Sequence, residues 1–329
     1  MFSITFVIIV IVLALVFDYI NGFHDTANAI ATSISTKALT PRAAIFIAAS
    51  LNMVGSLSGT AVAATIGKGI VAPEIVTPGV LIAALISAIF WNLFTWYYGI
   101  PSSSSHALIG GLTGAVIGSF GIEQVKWAGF GKILVGLLLS PVLGLILGAI
   151  VMTLLFWLFS ASSPARVNAS FRKLQILSAC TAAFAHGSND AQKTMGIITM
   201  TLVSGGLIGS FSVPIWVKIL CAIAMASGTA FGGWKIIRTM GGKIFRIEPI
   251  NGFAADFTAS AIIWGASLLG APVSTTHVVS SSIMGVGAAK RFGGVRWNIA
   301  RQILIAWVVT IPSSALVAII ISLLFRAFG

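Results

Sequence analysis

The chain has 329 residues, 57% hydrophobic and only 8% charged, where soluble domains carry about 25% charged residues. Its net charge of +12 would point to nucleic acid in a soluble protein. Here the basic residues fall between long apolar runs, the positive-inside pattern of a membrane protein, so no nucleic-acid partner is expected. Two cysteines, Cys180 and Cys221, lie in apolar segments outside any C-x-x-C or Cys/His cluster, so no metal, haem or redox cofactor is expected.

The first apolar run, 2–21, has no charged leader and continues directly into polar residues, so it is read as a membrane helix and not a signal peptide. Residues 22–40 are too polar for an ordinary span. Apolar segments follow at 43–66, 78–98, 102–121 and 130–159, close to the about 20 residues that a span needs. A Ser-, Ala- and Arg-containing loop over 160–173 divides the chain. Beyond it come 174–204, 213–234, 252–270, 273–289 and 299–327, and some of these segments are expected to be broken or re-entrant.

The basic stretches 160–173, 235–251 and 290–298 are assigned to the cytoplasmic side. Following the segments outward from them places the turn at Pro101 on the inner side and the turn at Pro272 on the outer side. The two halves then face opposite ways. The expected fold is an all-α integral membrane protein: a polytopic helical bundle of two inverted-topology repeats, 1–159 and 174–329, joined by a cytoplasmic linker at 160–173. Such repeats with interrupted helices typify secondary transporters, whose substrate site lies at the repeat interface. No G-x-x-x-x-G-K-[ST] motif is present to supply an ATP motor, and no G-x-S-x-G elbow supports a hydrolase.

Two motifs occur twice in the same order. Gly22-Phe23-His24-Asp25-Thr26-Ala27-Asn28-Ala29 returns as Gly187-Ser188-Asn189-Asp190-Ala191-Gln192-Lys193-Thr194, and Pro101-Ser102-Ser103-Ser104-Ser105-His106 returns as Pro272-Val273-Ser274-Thr275-Thr276-His277. Polar side chains inside a membrane segment are costly and mark function. The Pro-Ser motifs read as helix starts, with proline in the first turn and a hydroxyl cap. A helix start offers free N–H groups and partial positive charge, a site for an oxyanion. Ser103, Ser104, Ser105, Ser274, Thr275 and Thr276 are therefore the expected substrate hydroxyls, with Asn28 and Asn189 beside them.

Asp25 and Asp190 would repel an anion unless a cation neutralises them, which is a physical basis for symport. Gln192 and the two asparagines can add carbonyl oxygens for a hard cation. Lys193 stands where the first repeat has Asn28, and it can pair with an Asp, touch the anion or reach the surface. His24, His106 and His277 are read as supporting groups. Asp256 is either a favourable charge near a helix start or a carboxylate in the cation path.

With these residues in place, the sequence resembles the PiT family of inorganic phosphate transporters over essentially its whole length. The family's duplicated signature is similar to Gly-Ala-Asn-Asp-Val-Ala-Asn-Ala, and its Pro-x-Ser-Thr-Thr-His element matches Pro272–His277 fully and Pro101–His106 with serines for threonines. The resemblance implies phosphate uptake, coupled to sodium or protons, by an inverted-repeat fold that dimerises in the bacterial inner membrane. It also raises Asp256 as a coupling residue. Sodium-coupled members tend to carry Glu where this chain has Asn52, and His24 replaces the signature Asn as in bacterial low-affinity members that use protons, with metal–phosphate complexes as a further form of cargo. Both departures move the expected coupling ion from Na+ towards H+. The competing classes are a carrier of another tetrahedral oxyanion such as sulfate, an anion channel and a membrane-embedded hydrolase.

Overall fold

The computed structural model describes residues 3–71 and 75–328. Phe2 of the first expected segment, residues 72–74 of the loop after the second, and Gly329 lie outside the described residues. Among those described there is no strand. The helices are α1 (Ile4–Ser35), α2 (Pro41–Ser56), α3 (Ala61–Gly69), α4 (Pro78–Tyr98), α5 (Ser104–Phe120), α6 (Trp127–Leu158), α7 (Pro164–Ser204), α8 (Ile215–Phe231), α9 (Trp234–Arg238), α10 (Pro249–Leu268), α11 (Thr275–Lys290) and α12 (Trp297–Phe328). By length and composition α1, α4, α6 and α12 can each cross a membrane, and the bent pairs α2–α3 (69°) and α8 with Trp234–Lys243 (60°) raise the number to as many as six.

Two expectations are corrected by α1 and α7. Residues 22–35, too polar to read as a span, are the second half of the single helix α1, and almost all of them are buried. Their polar groups face other polar groups inside the protein, so average hydropathy hides the helix. In the second half, residues 164–173 of the expected linker form the first turns of α7, with Ser163 before the helix and Pro164 at its first position. Those residue types start helices as readily as they form loops.

The element order of the first six helices recurs in the last six, down to local contacts. Short 3-10 turns, Ile122–Gln124 and Phe292–Gly294, connect α5 to α6 and α11 to α12. The Lys126 N–H donates to Ile70 O, and the Arg296 N–H to Ile244 O. Each following tryptophan, Trp127 and Trp297, donates its indole N–H five residues back. Pro141 and Pro312 interrupt α6 and α12 at corresponding places. Such prolines are tolerated where neighbouring helices re-satisfy the backbone.

The halves interlock: α6 packs on α11, α5 on α12, α1 on α8 and α2 on α7. Glycine sets the last two approaches. A Cβ on Gly187 would lie 2.2 Å from Asn52 O, and one on Gly228 would lie 2.0 Å from Tyr19 O. Backbone meets backbone there, as small residues allow in membrane bundles. Apolar side chains such as Leu138, Leu139, Ile146, Val308 and Ile320 face outward, as a lipid-facing surface requires.

Candidate functional site

The two Pro-Ser motifs become helix starts. Ser103 caps α5 by accepting the His106 N–H at 3.2 Å, and Ser274 caps α11 by accepting the His277 N–H at 3.3 Å. Pro101 and Pro272 sit two residues before these caps, not in the first turn. There they stiffen the extended approach to the cap. The two turns meet, with Ser105 Oγ donating to Val273 O at 3.1 Å. Burying two helix starts is costly unless they share partners, and here they share them with each other and with the Asp motifs.

Those motifs lie at the middle of α1 and α7. Asp25 accepts from Ser104 Oγ at 3.0 Å and from Thr276 Oγ1 at 3.2 Å. His24 Nδ1 lies 2.6 Å from Asp25 Oδ1, and its Nε2 lies 3.1 Å from Thr95 Oγ1. Asp190 accepts from Thr275 Oγ1 at 2.9 Å, faces His186 Nε2 at 3.1 Å and is paired with Lys193. Asn28 ties the two carboxylates together: its amide donates to Thr275 Oγ1 at 3.1 Å and Thr276 Oγ1 at 3.0 Å, one hydroxyl for each Asp. The Asn28 carbonyl oxygen has no hydrogen-bond partner among the described residues.

Of the three roles open to Lys193, the structure shows pairing. Its ammonium donates to Asp190, to Ser105 Oγ at 2.5 Å and to Val273 O at 3.0 Å. It does not reach the surface, being 1% exposed. With both aspartates charged and the histidines neutral, the cluster carries one net negative charge. An anion entering it needs added positive charge.

Three other expected site residues have hydrogen-bond partners besides the two signature carboxylates. Asn189 donates to Ser267 Oγ and accepts the Val273 N–H, so it holds the Pro272 turn. Gln192 accepts the N–H groups of Val62 and Ala63, capping the start of α3. Asp256 is not a charge at a helix start. It is fully buried in α10 and accepts from Thr32 Oγ1 at 2.8 Å, two turns along α1 from Asp25. Among the described residues, neither Gln192 nor Asp256 hydrogen-bonds to Asp25 or Asp190. His106 and His277 pack with ring centroids 4.4 Å apart and planes tilted by 37°, and His277 stacks on Trp307 at 3.9 Å, locking α5, α11 and α12 behind the caps.

His186 was given no role from the sequence, and Asn52 was noted only where sodium-coupled members carry Glu. His186 Nδ1 lies 3.0 Å from Asn52 Oδ1, and ligand atoms of Asp25, His186 and Asp190 all fall within 4.8 Å of one another, a geometry able to hold a metal ion. His186 precedes Asp190 by one helical turn, which was the available signal. Asn52 also donates to Thr229 Oγ1 at 2.8 Å, linking α2 to α8.

The phosphate transporter family matches residues 21–318, which include all four motifs. The chain belongs to this family. It is 54% identical over 311 residues to a probable low-affinity inorganic phosphate transporter of Bacillus subtilis, spanning 94% of this chain and 93% of that one. It is 49% identical to a protein of the same description from Rhizobium meliloti, with 94% and 93% covered. The solved structure of "The sodium-dependent phosphate transporter" matches with a TM-score of 0.88 at 27% identity, covering 99% of this chain and 100% of that one. The family placement makes the chain a membrane transporter and not an enzyme.

Proposed function

We propose that this transporter imports inorganic phosphate across the inner membrane by symport with a cation, using two inverted halves, 1–159 and 174–329. The observation that carries the reading is the meeting of two capped helix starts with two carboxylates in one buried cluster. Phosphate would take the N–H groups and hydroxyls at Ser103–Ser105 and Ser274–Thr276. In this structure the hydroxyls of Ser104, Thr275 and Thr276 donate to carboxylates. A phosphate oxygen can replace those carboxylates as acceptor once a cation draws them away. The inverted arrangement is supported by α1 and α7 crossing antiparallel: Thr36 on α1 meets Gln175 on α7 at 2.7 Å, whereas Asp25 meets His186 and Asp190 farther along.

The coupling ion follows from the same cluster. Each signature carboxylate has an imidazole in contact, a side chain that can hold a proton on either ring nitrogen. Both His186 nitrogens face oxygen acceptors, and a protonated ring has an N–H for each. That favours the proton. Sodium is the second reading, favoured by the three ligand atoms converging from Asp25, His186 and Asp190. Transport as a metal–phosphate complex would use the same three ligands. Alternating access would move one part of the bundle against the rest. Phosphate is preferred over sulfate because it can donate a hydrogen bond to a buried carboxylate, and a site built for that bond rejects the analogue without it.

The test is uptake of labelled phosphate into proteoliposomes by the wild type, Asp25→Asn and Asp190→Asn, with excess sulfate as competitor. Uptake is expected to vanish in both variants and to resist sulfate. Unimpaired uptake in both variants would remove the assigned roles.

A further inference from the structure

The polar residues of α1 do not stop at the signature. Asp18, Asn21, Asp25, Asn28, Thr32 and Thr36 recur every three or four residues, one face of a helix, and each is at least nine-tenths buried. Opposite them on α7 lie Thr194, Asp190, His186, Ser178 and Gln175, all buried, in antiparallel order. Asp18 interacts with Thr194, Asp25 clusters with His186 and Asp190, and Thr36 bonds Gln175. A polar seam thus runs between the two helices for about 27 Å at 1.5 Å per residue.

Along this seam the Asp25–Asp190 level is densely hydrogen-bonded, but the level at Asp18 is not. Among the described residues neither Asp18 carboxylate oxygen has a hydrogen-bond partner, nor do Asn21 Oδ1 and Nδ2 or Thr194 Oγ1. Asp18, Asn21 and Thr194 are each 0% exposed. Apart from the approach of the Thr194 hydroxyl to Asp18, these three polar groups meet no hydrogen-bond partner among the described residues, although a lone buried carboxylate costs several kcal/mol. The charged groups acting on Asp18 from neighbouring helices are Asp190 and Lys193 on α7, whose opposite charges offset each other. A further titratable neighbour is the thiol of Cys221 on α8. The missing partner is therefore one positive charge.

We propose that Asp18, Asn21 and Thr194 form a second monovalent-cation site, outside the Asp25–His186–Asp190 cluster. It lies about 10 Å away along α1, two helical turns towards the N-terminus. One carboxylate supplies one negative charge, and Asn21 Oδ1 and Thr194 Oγ1 supply neutral oxygens. That set matches a proton or a sodium ion, whereas a divalent ion draws on more carboxylates. A cation held here approaches the phosphate site along the seam, and the protein carries one more positive charge per phosphate than the signature cluster alone would hold. The inference rests on the symport reading and adds a site and a stoichiometry to it.

The test measures the cation-to-phosphate ratio from the reversal of phosphate flux in proteoliposomes at set membrane potentials. Wild type, Asp18→Asn, Asp18→Glu and Thr194→Val are compared, with sodium varied at fixed pH and pH varied at fixed sodium. Asp18→Asn is expected to lower the ratio by about one cation, matching the single charge removed, while Asp18→Glu keeps the wild-type ratio. Thr194→Val is expected to shift the cation concentration dependence several-fold without changing the ratio, and it provides the readout if Asp18→Asn does not fold. Whichever titration, sodium or pH, changes in the variants identifies the occupant. An unchanged ratio in Asp18→Asn, or unchanged cation dependence in Thr194→Val, overturns the site while leaving phosphate symport intact. A wild type that shows no cation-driven flux overturns the symport reading itself, and this site with it.

Discussion

Replacing Lys193 with Met removes the one buried lysine or arginine among the described residues of the transporter. Its ammonium has three acceptors: the Asp190 carboxylate, Ser105 Oγ and Val273 O. Breaking a buried ion pair by deleting one partner costs about 3–5 kcal/mol, because the remaining charge is left uncompensated. His186 stands 3.1 Å from the same carboxylate and supplies part of the missing compensation, so the expected loss lies at the lower end, about 3 kcal/mol. At roughly 2 °C per kcal/mol for a chain of this size, the apparent melting temperature of purified protein falls by about 6 °C. Asp190→Asn should destabilise for the mirror-image reason. The double variant Asp190→Asn/Lys193→Met strands neither charge, so it should be more stable than the sum of the single effects implies. Thermal denaturation of the four proteins in detergent completes the cycle. Additive effects, or a Lys193→Met protein as stable as wild type, would refute the pairing and the charge count built on it.

Removing either cap hydroxyl, by Ser103→Ala or Ser274→Ala, should cost about 1 kcal/mol of stability. It should also raise the phosphate concentration for half-maximal uptake, because the helix starts that would hold the anion lose their anchoring; unchanged uptake would separate the caps from the substrate. Gly187→Ala and Gly228→Ala force a Cβ against backbone oxygens at 2.2 and 2.0 Å. Each should cost about 1–3 kcal/mol, read as loss of monodisperse protein or a lower melting temperature. Gln192→Ala uncaps α3 at Val62 and Ala63. It should lower stability by about 1 kcal/mol yet leave the dependence of uptake on the driving cation unchanged; a changed dependence would return Gln192 to the cation site.

The repeated motifs made the central cluster legible in the sequence. Asp25, Asp190, Asn28 and the Ser103 and Ser274 caps carry their signal in local order, and a helix cap depends on only a few consecutive residues. The continuity of α1 was not legible from hydropathy, because residues 22–35 are too polar to read as a span and their polar groups are satisfied by α4, α5, α10 and α11, far away in sequence. Their 3-4 spacing was visible, but it indicates a helix only once a polar partner face is known to exist. The start of α7 was hidden because Ser163 and Pro164 serve loops and helix starts alike. The hydrogen-bond partners of Asn189, Gln192 and Asp256 depend on long-range contacts: Val273 for the first, Val62 for the second and Thr32 for the third. Residue type and spacing announced polar groups inside a membrane, but not which of them would be committed to holding helices together.

Labelled phosphate accumulation in proteoliposomes, with sodium and proton gradients imposed one at a time and external phosphate below internal, tests symport most directly. Uphill accumulation under an imposed cation gradient, collapsing when that gradient is dissipated, is the expected result, with the proton gradient the effective one. Flux that only ever runs down the phosphate gradient, whatever cation gradient is applied, would make the protein a channel and contradict coupling at the Asp25–Asp190 cluster.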